Sequence, residues 1–256
     1  MVEVTRHEPG SFSWAELATT DAAAAKKFYT TLFSWGFVDS PAGPDMVYTR
    51  LKMRDKSIGA LFEMGPQQKG APPHWTAYVT VASADESAKK ARELGAKVLA
   101  EPFDVMDVGR MATIQDREGA TLCLWQAKKH IGTEIVNEPN TMSWGELETT
   151  DTESAKTFYT GLFGWGAKAG GDYTEFQLGG KSIGGMMKIP KEWGPVPPYW
   201  LIYFAVTDCD ATEKKVRELG GKAIVHSTDI ENVGRFAVLS DPQGAVFAVV
   251  QLTQSA

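Results

Sequence analysis

A near-copy of one segment inside the chain limits its fold more than any other feature. Ser13-Trp14-Ala15-Glu16-Leu17, followed by Thr19-Thr20-Asp21, returns at an offset of 130 residues as Ser143-Trp144-Gly145-Glu146-Leu147, followed by Thr149-Thr150-Asp151. From Lys56-Ser57-Ile58-Gly59 and Lys181-Ser182-Ile183-Gly184 onward the offset is 125. It holds through Pro72-Pro73-His74-Trp75 and Pro197-Pro198-Tyr199-Trp200, and through both Arg-Glu-Leu-Gly and both Val-Gly-Arg motifs. Two halves that match this far share one fold. The five-residue change falls between Trp35 and Lys56, where Pro41, Gly43 and Pro44 read as a surface loop over 37–55. The expected division is a first domain over 1–127, a polar linker over 128–140 and a second domain over 141–256.

Within a half, Phe12 to Ala18 alternates as a strand, and Asp21 is placed to cap a helix whose Ala24, Phe28 and Leu32 recur at helical spacing. Strand-like runs follow at 46–53 and 57–64. The pattern then repeats: a strand from Trp75, a helix over 84–94 closed by Gly95, and strands near 97–105, 110–115 and 121–126. Each half is therefore βαβββ twice, an α+β architecture of four such units with helices on the outside of curved mixed sheets.

Composition removes several functions. With 43% hydrophobic residues the chain can build packed cores, and a net charge of -6 with no basic run longer than a pair offers nothing to a phosphate backbone. Nucleic acid is not an expected partner. No apolar stretch approaches the roughly 20 residues that cross a bilayer, so no membrane partner is expected and the compartment is read as cytoplasmic. Cys123 and Cys209 lack metal or disulfide spacing. No GxGxxG, Walker or HExxH sequence occurs, and four scattered histidines make a nucleophilic triad improbable.

The Glu-Leu-x-Thr-Thr-Asp segment before a helix ending Phe-Tyr-x-x-Leu-Phe-x-Trp, and Asp241-Pro242-Gln243-Gly244-Ala245 before the last strand, resemble the vicinal oxygen chelate superfamily. That superfamily includes glyoxalase I, extradiol dioxygenases and bleomycin-resistance proteins; more narrowly, the chain resembles the tandem glyoxalase-like proteins often labelled hydroxylases. The resemblance implies sheets curled into cups, formed either within a half or by exchange between halves. It also implies a divalent metal on the first, fifth and eighth strands. Those positions fall on Trp14, Thr76 and Cys123 in the first half and on Trp144, Leu201 and Ala248 in the second. Indole, isobutyl and methyl groups do not ligate metals, so no metal and no other cofactor is expected.

Strand alternation turns Trp14 and Glu16 toward the cup and Ala15 and Leu17 toward the helix. Glu16 and Glu146 need a partner if buried. They are candidates for a proton-transfer base, or for a salt bridge to Arg110 and Arg235, which could equally meet an anionic ligand. Trp14 and Trp144 either line or plug the cups; Trp35, Trp165, Trp75 and Trp200 are expected in the core. Thr76, Tyr78 and Cys123, with Leu201, Tyr203 and Ala248, complete the expected ligand-binding face, and Thr76 and Cys123 make the first cup the more polar. The leading expectation is a metal-free protein that binds a planar, apolar or aromatic small molecule. The alternatives are a metal-independent isomerase, lyase or cyclase using an inward Glu, and a metal-dependent lyase or dioxygenase with atypical ligands. A monomer suits a chain that carries its own pseudo-dimer.

Overall fold

The computed structural model describes residues 2–43 and 46–253. The first half contains β1 (Phe12–Thr19), α1 (Ala22–Phe33), β2 (Gly36–Pro41), β3 (Val47–Met53), β4 (Lys56–Glu63), β5 (His74–Thr80), α2 (Ala84–Glu93), β6 (Lys97–Val105), β7 (Gly109–Gln115) and β8 (Thr121–Ala127). The second contains β9 (Met142–Thr149), α3 (Thr152–Phe163), β10 (Gly166–Gly170), β11 (Tyr173–Leu178), β12 (Lys181–Lys188), β13 (Tyr199–Ala205), α4 (Cys209–Glu218), β14 (Lys222–Ile230), β15 (Gly234–Ser240) and β16 (Val246–Leu252). A two-residue pairing of Val2–Glu3 with Ile135–Val136 lies apart from the main sheets.

Each half builds its own eight-stranded mixed sheet, in the order β2-β3-β4-β1-β5-β8-β7-β6 and β10-β11-β12-β9-β13-β16-β15-β14. Two βαβββ units join through the antiparallel β1–β5 pair, while β1–β4 and β5–β8 run parallel. The cups therefore form within the halves and not by exchange. Asp21 and Asp151 accept backbone N–H groups at the starts of α1 and α3. Both helices stop at a left-handed residue, Ser34 and Gly164.

The loop region over 37–55 contains the strand expected at 46–53 and a second strand, β2, that was not expected. It holds β2 and β3 as a hairpin on the sheet edge, where exposed Phe37 and Val38 obscure the alternation. The length difference between the halves falls in this hairpin and its partner β10–β11, because Trp35 and Trp165 keep the longer offset while Tyr48 and Tyr173 already have the shorter one.

The helix-bearing faces of both sheets turn toward each other and share one core. Phe33 and Trp35 of the first half pack on Phe204 of the second, with ring centroids 5.3 and 5.4 Å away. Trp35, Trp75, Trp165 and Trp200 all lie in this core, as expected. Trp75 Nε1 donates to Tyr29 Oη, which donates to Asp241 Oδ2 in the other half. Trp200, Tyr159 and Asp116 repeat the chain in the opposite direction. Each Asp also receives three backbone N–H groups of its own Asp-x-x-Gly-Ala turn on Oδ1, so one carboxylate both closes a turn and joins the halves.

Candidate functional site

The opposite face of each sheet carries a separate cluster of side chains, and a bulge decides what enters it. Pairing of β1 with β5 slips between Phe12 and Trp14, and pairing of β9 with β13 slips between Met142 and Trp144. An extra residue resets the alternation. Phe12 is thereby sent to the shared core, 5.5 Å from Trp165, while Trp14 and Glu16 face the cup.

In the first cup Glu16 accepts two hydrogen bonds, from Tyr48 Oη to Oε2 at 2.6 Å and from Tyr78 Oη to Oε1 at 2.8 Å. Trp14 Nε1 donates to Tyr48 Oη at 3.3 Å. The second cup repeats the arrangement: Glu146 accepts from Tyr173 at 2.7 Å and from Tyr203 at 2.6 Å, and Trp144 donates to Tyr173 at 2.9 Å. The partner of each inner Glu is thus a pair of tyrosines. Burial raises the Glu16 carboxyl, opposed by the two phenols and by His74, and burial with the nearby carboxylate holds Tyr48 and Tyr78 as neutral phenols. Tyr48 and Tyr173 were missed by the reading of the sequence, although Tyr48-Thr49 and Tyr173-Thr174 match at the 125 offset.

Arg110 and Arg235 do not meet the glutamates, a correction to the salt bridge expected from the sequence. They share a strand face with core residues Ala112, Ile114, Ala237 and Leu239, which puts them on the helix side. Arg110 pairs with Asp85 at 2.7 Å, and Arg235 with Asp210 at 2.9 Å and Asp229 at 2.8 Å.

Tyr78 lies opposite Trp14 and beside Cys123, and Thr76 lies opposite Glu16; Tyr203, Ala248 and Leu201 hold the same places in the second half. Cys123 Sγ is 3.5 Å from Thr113 Oγ1, and burial pushes its thiol up to about 12. The first cup is covered by the linker. His130 stands edge-on to Trp14 with centroids 4.6 Å apart, its carbonyl accepts from Trp125 Nε1, and Trp14 is only 3% exposed. Burial brings the His130 imidazole down to about 4, so it is neutral. Gly109 is required beneath Trp125, because a Cβ there would stand 2.2 Å from the indole ring.

The larger polar difference between the cups was not read from the sequence. Glu148 occupies the place of Ala18 and is 1% exposed; among the described residues no donor reaches its Oε2, and its carboxyl lies in hydrogen-bond contact with that of Glu146. Burial first, and Glu146 beside it second, push its carboxyl up to about 8, so at neutral pH it is an acid and not a carboxylate. Its strand partner Tyr199 replaces His74. The expectation that the first cup is the more polar therefore fails at the floor of the second.

The superfamily's metal does not fit this donor set. Trp14 offers only an N–H, Cys123 holds its proton, and both oxygens of each inner Glu already accept from tyrosine. Among the described residues no three His, Cys, Asp or Glu side chains gather as a metal site.

Comparison with known proteins agrees with the fold. The chain is 41% identical over 258 residues to CFP32 of Mycobacterium tuberculosis (strain CDC 1551 / Oshkosh), provisionally named a glyoxylase, covering 98% of both chains. It is 33% identical over 270 residues to the anthracycline biosynthesis protein DnrV of Streptomyces peucetius, covering 98% of this chain and 96% of that one. Among solved structures, the Mn(II)-bound glyoxalase from Novosphingobium aromaticivorans superimposes with a TM-score of 0.68 at 13% identity, over 95% of this chain and 82% of that one. Residues 11–124 and 146–249 match the family model, and the chain belongs to the Glyoxalase/Bleomycin resistance protein/Dioxygenase superfamily.

Proposed function

We propose that this protein binds a planar, largely apolar or aromatic small molecule in its cups without the aid of a metal. The observation that carries this reading is the lining itself. Where the superfamily places metal ligands stand Trp14, Thr76, Cys123, Trp144, Leu201 and Ala248, and around them Tyr48, Tyr78, Tyr173 and Tyr203 offer aromatic faces whose hydroxyls are held by one carboxylate per cup. Aromatic walls with a few fixed polar atoms suit a flat ligand held by burial and stacking. The likeness to proteins named for anthracycline biosynthesis supports a polycyclic aromatic ligand. Two buried free thiols suit a reducing, cytoplasmic setting.

A second reading, a metal-independent isomerase, lyase or cyclase, is favoured by one observation: a protonated Glu148 stands beside Glu146 in the second cup, and an acidic proton next to a second carboxyl group suits proton transfer. Titration of a panel of polycyclic aromatic compounds, followed by tryptophan fluorescence on protein stripped with a chelator, tests the leading reading. Saturable quenching that survives stripping is expected. Binding that vanishes with the chelator and returns with a divalent metal would count against it.

A further inference from the structure

The linker that covers the first cup is held by its backbone and reaches into the cup with one side chain. Lys128 and His130 both donate their N–H groups to Val108 O, Thr133 N donates to Ser13 O at 2.7 Å, and Glu134 N donates to Ser57 O at 2.8 Å. Between these ties Gly132 presses on β1, where a Cβ would stand 2.2 Å from Ser13 O. The His130 carbonyl accepts from Trp125 Nε1 at 2.9 Å. Each of these ties is made by a main-chain atom of the linker, so none depends on where the imidazole points.

The imidazole itself stands edge-on against two indoles of the cup, with ring centroids 4.6 Å from Trp14 and 5.9 Å from Trp125. Both indoles are almost fully buried. No hydrogen bond holds the imidazole in this position at Nε2, which is sealed from solvent and has no partner. A polar atom that gives up water without gaining a partner weakens the contact that buries it. Turning the ring out about its own side-chain bonds breaks only the aromatic contacts, and it leaves a slot between Trp14 and Trp125 while the linker stays tied. The second half is built differently: Val250 stands in place of Trp125, Trp144 is half-buried, and the 125 offset pairs His130 with Ser255, which has no ring.

We propose that His130 is a built-in competitor for the first cup: its imidazole occupies the seat of a small planar aromatic heterocycle, and such a ligand enters by displacing it from between Trp14 and Trp125. The proposal rests on the reading of the cups as small-molecule sites.

Benzimidazole, a flat heterocycle that contains the imidazole ring, is a suitable probe, titrated by calorimetry. His130→Ala, which keeps every main-chain tie, should bind it about tenfold tighter than wild type, because no ring has to be displaced. Adding Trp125→Val, the residue that the second half carries there, should remove the gain, whereas adding Trp144→Phe should not. In wild type, saturating benzimidazole should move the His130 ring-proton resonances from the positions set by the two indole ring currents to those of a solvent-exposed histidine. Equal affinity in wild type and His130→Ala would overturn the proposal, as would His130 resonances that keep their ring-current shifts in the complex. Failure of benzimidazole to bind any of these proteins, while the polycyclic panel still binds, would remove the seat and leave the cup reading standing. Failure of both classes of compound would remove both.

Discussion

Tyr29 of α1 donates a hydrogen bond of 3.0 Å to Asp241, 212 residues away in the other half, and is itself fully buried. Tyr159 does the same to Asp116 at 2.8 Å. In each case the receiving carboxylate is one that holds a turn of the opposite sheet, so the two halves are fastened by the residues that shape them.

Removing one phenol leaves a buried carboxylate oxygen and the indole N–H of Trp75 short of a partner. Tyr29→Phe should cost about 1–3 kcal/mol of stability, read as a lowered urea midpoint. Tyr159→Phe should cost a similar amount, and the double variant should unfold with the two halves no longer in a single transition. A Tyr29→Phe protein as stable as wild type would show that the fastening lies in the aromatic packing alone.

Glu148 makes stability depend on pH in a set direction. Its folded-state pKa, about 8, lies above the ordinary 4.5, so between those values the folded chain holds a proton that the unfolded chain has released. Stability must then fall as pH rises through this window. Burial acts on Glu16 in the same direction. Glu148→Gln should therefore flatten the decline and be more stable than wild type by on the order of 1–3 kcal/mol at about pH 8, with little difference near pH 5. Urea midpoints at several pH values test this; parallel curves would mean that Glu148 is ionised in the folded protein.

His130 shields Trp14 with its ring while its backbone is tied to the protein at both N–H and C=O, by Val108 and Trp125. Truncating the ring in His130→Ala keeps those ties. Acrylamide quenching of tryptophan emission should increase and the emission should move to longer wavelength, with stability changed by about 1 kcal/mol or less. Unchanged quenching would mean that Trp14 is covered by something other than the imidazole.

Much of this structure is determined within the sequence. The repeat states that one fold occurs twice, and period-two and period-3.6 patterns place β1, α1 and α2, because apolar side chains must reach a single buried face. They also turn Leu17 and Ala15 to the core and Trp14 and Glu16 to the cup. The edge strand β2 escaped, since its side chains are exposed on both faces and no buried face enforces alternation. The tertiary structure alone decided the rest. Arg110 went to Asp85 and not to Glu16, Tyr48 crossed from the edge hairpin to Glu16, and each cup closed within its own half. Glu148, in the sequence merely a mismatch with Ala18, became a neutral acid because its neighbours in space are a carboxylate, phenols and apolar side chains with no cation. Hydrogen-bond partners and proton affinities depend on distances between strands that are remote in the chain, and local sequence carries no record of those distances.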